Sequence, residues 1–212
     1  MAVDIEELRS FCSFGPDRVY LLLAIARGKE NPERRNSDRP VVREIVEDET
    51  ELPRKIEQLD HAVRRFDEWF RLYISVNARD TLQATFVLRR RTDDWLEMRL
   101  HGDEGVRKKF KRLDSEFKSV RQLDTCRDET NVIFDVDDAT AAEADRLQKR
   151  LTAMTAVRLR RETPNGYHIV TEPFNYNELE TNVADERTTD NMLFLSSVGR
   201  ETPLLADDPS GH

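Results

Sequence analysis

Two aspartates lie one residue apart at the end of an apolar run, Asn131-Val132-Ile133-Phe134-Asp135-Val136-Asp137-Asp138. Read as a strand, the run alternates faces, so Asp135 and Asp137 point one way and Val136 the other. Their backbones are then about 7 Å apart, a spacing at which two carboxylates can share hard divalent ions such as Mg²⁺ or Mn²⁺. Asp138 is placed to cap a following helix, since aspartate favours helix starts. A histidine enters 33 residues after Asp135. Thr163-Pro164-Asn165-Gly166 separates the strand-like runs 157–160 and 167–170. Pro-Asn-Gly between such runs signals a hairpin and places His168 at the start of its second strand. Carboxylate oxygens for a metal, with an imidazole able to hydrogen-bond phosphate, suit metal-assisted phosphoryl or nucleotidyl transfer.

The elements that hold these groups follow from periodicity. Residues 1–10 read as a short acidic helix or a loose arm, and 19–26 as an apolar run that is either a buried strand or a buried helix. The polar stretch 27–35 that follows is a solvated loop, with phosphate contact as the alternative. Residues 40–46 read as a strand. Ile56, Leu59, Val63 and Phe66 define a helix over 52–66, with Pro53 in its first turn. Leu72, Ile74 and Val76 share one face of a strand over 71–80, which ends in an Asn-Ala-Arg-Asp corner suited to binding groups. A helix over 81–100 comes next, stopped near Gly102. The stretch 104–123 reads as one strongly basic helix with Phe110, Leu113, Phe117 and Val120 as its packing stripe. A helix over 139–150 follows the acidic strand, 171–180 reads as loop and short helix, and 191–195 as the last strand.

Composition bounds the rest. The chain has 212 residues, 36% charged and 38% hydrophobic, with a net charge of −8, enough length for one domain with a real core. Only seven of its 34 basic residues are lysine; arginine, the better phosphate clamp, dominates. Cys12 and Cys126 form neither a disulfide framework nor a zinc pattern. No apolar run reaches the roughly 18 residues a membrane helix needs, so a soluble, cytoplasmic protein is expected.

Phe134-Asp135-Val136-Asp137 resembles the hydrophobic-DxD motif of the archaeo-eukaryotic primase (primase-polymerase) superfamily, and Gly166-Tyr167-His168 resembles its small-x-His motif. The third motif of that family is an acid beside a hydrophobic strand. Asp190, 22 residues after His168, is its best match and Asp185 the second. The resemblance covers about residues 70–197. It implies an α+β fold, with an RRM-like antiparallel sheet carrying the acidic site and packed with an N-terminal α/β half. That domain would span 1–200, leaving 201–212 as a flexible tail. It implies a template-directed or primer-synthesising nucleotidyltransferase. Asp135, Asp137 and Asp190 would hold two Mg²⁺ or Mn²⁺ ions and His168 would touch the phosphates of a nucleoside triphosphate. Arg79, Arg158 and Arg160 are candidates for phosphate or template contact. Lys108, Lys109, Lys111 and Arg112 are candidates for a single-stranded DNA or RNA template, and replication proteins are expected partners. The cysteine count excludes the zinc module many members carry, so the resemblance is to a small, zinc-less member of viral or plasmid type. Abundant acids with little lysine fit a halophilic archaeal setting. Two alternatives stay open: a non-catalytic nucleic-acid-binding replication module of the same fold, and a metal-dependent nuclease.

Overall fold

The computed structural model describes residues 3–32, 40–175, 187–188 and 191–199, with 187–188 described by backbone alone. Strand β1 (Arg18–Ile25) is buried from 19 to 24 without a break, so the ambiguous apolar run is a central strand covered on both faces. It pairs antiparallel with β2 (Val41–Val46) and β3 (Phe70–Ser75), and the two-residue β4 (Arg79–Asp80) pairs with its first residues. The last strand, β9 (Met192–Val198), pairs with β3 and completes the order β2-β1-β3-β9. Tyr20, Leu22 and Ala24 join Leu8 and Phe11 of α1 (Ile5–Phe11) and Ile56, Leu59 and Val63 of α2 (Leu52–Val63) in the main core. Pro53 lies in the first turn of α2, where its missing N–H costs nothing.

The second sheet holds β6 (Val157–Thr163), β7 (Gly166–Thr171) and β5 (Val132–Asp137), with the two-residue β8 (Arg187–Thr188) on the outer side of β5. All its pairings are antiparallel. The architecture is therefore α+β with two antiparallel sheets. Alternation in β5 divides its residues. Val132, Phe134 and Val136 pack with Leu147 and Leu151 of α6 (Ala141–Thr152), while Ile133 enters the main core on the other face. Asp135 and Asp137 continue that second face. The main core also takes Leu159 and Val170, so it runs unbroken from one sheet to the other.

Polar groups finish the seam between the sheets. The Asn77 side chain donates to the backbone carbonyl of Asn131 (3.2 Å) and accepts from its N–H (2.8 Å), imitating a strand pairing just before β5. Arg161 of β6 donates to the carbonyl of Leu195 in β9 (3.2 Å) and forms an ion pair with Glu7 of α1. Buried backbone groups on an edge strand must find partners, and here side chains of the second sheet supply them.

Four expectations need correcting. The strand over 71–80 stops at Ser75, because the chain turns at Asn77 to bind Asn131. The basic stretch 104–123 is two short helices, α4 (Arg107–Phe110) and α5 (Leu113–Val120). Its apolar groups serve different targets. Phe110 meets the Trp95 ring edge-on at 5.9 Å on α3 (Thr81–Leu100), whereas Val120 and Phe117 pack near Ala84, Val87 and Leu88 of the same helix. Asp138 does not cap α6. It turns the chain in the left-handed region (φ 57°), and Thr140 caps instead through a reciprocal pair with Glu143. Helix α2 ends at Val63, and Phe66 beyond it packs against Phe70 at 5.7 Å. Residues 176–186 and the tail 201–212 lie outside the described residues. Among the described residues, no helix is long and apolar enough to cross a membrane.

Candidate functional site

Where the two sheets meet, a cavity of about 360 Å³ opens. Asp135 and Asp137 of β5, His168 of β7 and Thr163 of β6 line one side. Arg27, Arg71, Tyr73, Met192 and Phe194, from β3, β9 and the loop after β1, line the other. Antiparallel register places these groups. In the second sheet Asp135 pairs with His168 and His168 with Arg161, so the three form a cross-strand row on one face. In the first sheet Arg71 pairs with Ile25, and Tyr73 with Phe194, whose rings meet edge-on at 5.9 Å.

His168 is buried and uses both ring nitrogens. Its Nδ1 accepts the backbone N–H of Phe194 at 3.1 Å. The remaining proton therefore sits on Nε2, which faces Asp135 Oδ1 at 3.1 Å. That hydrogen bond is the main reason the Asp135 carboxyl lies below its ordinary value; partial burial works against it, and Arg27 and Arg71 add attraction. Asp137 is exposed at the mouth. The turn that fixes its height depends on Gly166, opposite it in the pairing. A Cβ there would lie 1.9 Å from the carbonyl oxygen of Val136, so no other residue fits without moving the strand.

The facing wall is cationic. Arg71 is buried and donates to Glu30 through Nε at 2.7 Å, with Nη2 on the same carboxylate oxygen. Arg27 donates to the Tyr73 hydroxyl at 3.4 Å, a long bond that leaves most of its guanidinium for a ligand. Two carboxylates thus face the Arg27 guanidinium and the Glu30-paired guanidinium of Arg71 across the cavity. Such a site suits an anion accompanied by a divalent cation. The donor chemistry, oxygen only and on one strand face, fits Mg²⁺ or Mn²⁺, which commonly take one or two carboxylates and complete their shell with phosphate and water. Among the described residues, no group of three or more His, Cys, Asp or Glu is arranged to hold a metal.

The structure brings together Asp135, Asp137 and His168. Asp190, expected as the third acid, and Asp185 lie outside the described residues. Arg79 is buried under Leu123, whose carbonyl it approaches at 3.5 Å, and is not part of the cavity wall. Arg158 donates to the carbonyl of Phe11 at 3.0 Å. Arg160 points to α6, where it meets Asp145 and Gln148, and stacks on Tyr167. Lys108, Lys111 and Arg112 are exposed on α4 and just beyond it, and Lys109 sits over the Trp95 ring at 5.1 Å. Sequence reasoning did not single out Arg71, and named Arg27 only within a loop open to phosphate. The available signal for Arg27 was its place directly after a buried strand. Arg71 carried none, being one arginine among many. Comparison with known proteins gives no matching family model, no matching curated protein and no matching solved structure.

Proposed function

We propose that this cavity binds a nucleoside triphosphate and that the protein is a nucleotidyltransferase of primase-polymerase type. The convergence of Asp135, Asp137, His168, Arg27 and Arg71 on one cavity carries the reading. Asp135 and Asp137 would hold Mg²⁺ or Mn²⁺, which when bound lowers the pKa of an attacking hydroxyl and neutralises phosphate charge. His168 orients Asp135 through Nε2–H, and its ring could touch a phosphate only by giving up that hydrogen bond, so the phosphate contacts fall to the arginines. Arg27 and Arg71 complement the triphosphate, and the Tyr73–Phe194 pair offers an aromatic edge for the nucleoside. An RRM-like topology belongs to this reading. The order β6-β7-β5-β8, with α6 between β5 and β6, supports it. Single-stranded DNA or RNA as template, and replication proteins as partners, go with it.

Primer extension and de novo synthesis with Mn²⁺ test the proposal. Wild type should incorporate nucleotides, and Asp135→Asn with Asp137→Asn should abolish incorporation while nucleotide binding to the arginine wall survives. Equal incorporation by both proteins would sink it. A second reading, a non-catalytic binding module, draws on the finding that only two acids converge among the described residues. It expects single-strand binding indifferent to divalent ions. Labelled strands incubated with Mn²⁺ and no nucleotides separate out a nuclease.

A further inference from the structure

Helix α3 is apolar on two opposite sides. At 3.6 residues per turn, Ala84, Val87, Leu88 and Trp95 share one side, which packs on Phe117, Val120 and Phe110. The opposite side carries Leu82, Phe86, Arg89, Asp93, Leu96 and Leu100 at alternating steps of four and three, the spacing of a coiled-coil seam. All six are exposed, and the apolar four are 54%, 52%, 53% and 87% accessible. Nothing among the described residues covers them.

The stripe complements its own reverse. Laid antiparallel on a second copy about Arg91, Leu82 meets Leu100 of that copy, Phe86 meets Leu96, and Arg89 meets Asp93. Each contact then occurs twice, as a two-fold axis requires. A parallel arrangement would set Arg89 on Arg89 and Asp93 on Asp93, which repel. Charge order therefore selects both the occupant and its direction.

We propose that the chain forms a two-fold homodimer through antiparallel pairing of α3. The proposal is independent of the nucleotide reading, since no cavity residue lies on α3. A helix of this length is about 30 Å long, and one helical seam is smaller than a standard interface of about 1,600 Å². The dimer should therefore dissociate on dilution.

Sedimentation equilibrium of the full chain across a concentration series, at low ionic strength, tests it. Wild type should pass from monomer to dimer. Arg89→Asp alone and Asp93→Arg alone should each raise the dissociation constant about tenfold, because like charges then meet at two symmetric places. Combining the two swaps should restore it to within about threefold of wild type. Phe86→Glu with Leu96→Glu should abolish the dimer with an unchanged circular dichroism spectrum, since both sites are solvent-facing. A wild type that stays monomeric throughout, a dimer indifferent to these changes, or a double swap that fails to restore pairing would each overturn the proposal.

Discussion

His168 has no spare ring nitrogen in this fold: one is taken by the Phe194 N–H and the other by Asp135. The Asp135 carboxylate is consequently favoured in the folded chain, and its folded pKa lies below the unfolded value. A depressed acid contributes stability that is present above the ordinary carboxylate range and is lost as pH falls through the folded value. Asn mimics the protonated acid. Asp135→Asn should therefore be less stable than wild type at about pH 7, and the gap should narrow as the pH falls below the ordinary carboxylate range of about 4. Denaturant titrations at neutral and acidic pH read this directly; a gap that widens in acid would contradict the assignment. Asp135, Asp137 and His168 were legible in the sequence because strand alternation and a Pro-Asn-Gly turn fix their faces. Arg27 and Arg71 were not. Arg71 is placed by pairing with Ile25, a strand 46 positions earlier in the chain, and no local pattern encodes that pairing.

At the scale of elements, the hairpin of β6 and β7 sets the site. Its two-residue turn pairs Thr163 with Gly166, which puts Arg161 opposite His168 and sends Arg160 to the α6 face. Counting back from the turn puts Arg161, and not Arg158 or Arg160, beside His168. Arg161 is then consumed structurally by Glu7 and Leu195. Gly166 is the critical position. Gly166→Ala places a methyl 1.9 Å from Val136 oxygen, in a backbone region that L side chains avoid. A cost of about 2–4 kcal/mol is expected, as for other strained or overpacked sites, together with displacement of Asp137. Thermal unfolding and amide shifts of β5 measure both; an unperturbed β5 would refute the coupling. The helix over 81–100 was read correctly end to end, since Asp80 caps it by accepting from the Gln83 N–H at 2.8 Å. The stretch after it was misread because the spacing of its apolar residues suits a single helix, whereas the positions of Trp95 and Ala84 require two.

Across the whole molecule, a chain of net charge −8 must still admit a polyanion if the cavity serves a template. Two arginines in the cavity do not offset that repulsion beyond about 8 Å in physiological salt. The exposed cations around α4 are the densest positive surface near it in sequence, but they are not equivalent. Lys109 is held over Trp95 of α3, and Arg107 is paired with Glu104, which also pairs with Arg99 of α3. Lys108, Lys111 and Arg112 have no such engagement among the described residues and are the groups free to meet phosphate. Each phosphate contact on a single strand releases counterions and adds about 0.7 to the slope of log K against log salt. Lys108→Glu with Lys111→Glu should therefore weaken single-strand binding and lower that slope by about 1.4 if both side chains make contact. Nucleotide binding should stay unchanged, because neither lysine lines the cavity. Lys109→Glu should act differently, lowering thermal stability with little further change in slope. Fluorescence anisotropy across a salt series, run beside melting curves for the three proteins, distinguishes these effects. An unaltered slope in the double variant would assign the surface around α4 to solvation alone and leave the arginine wall as the chain's only proposed phosphate contact.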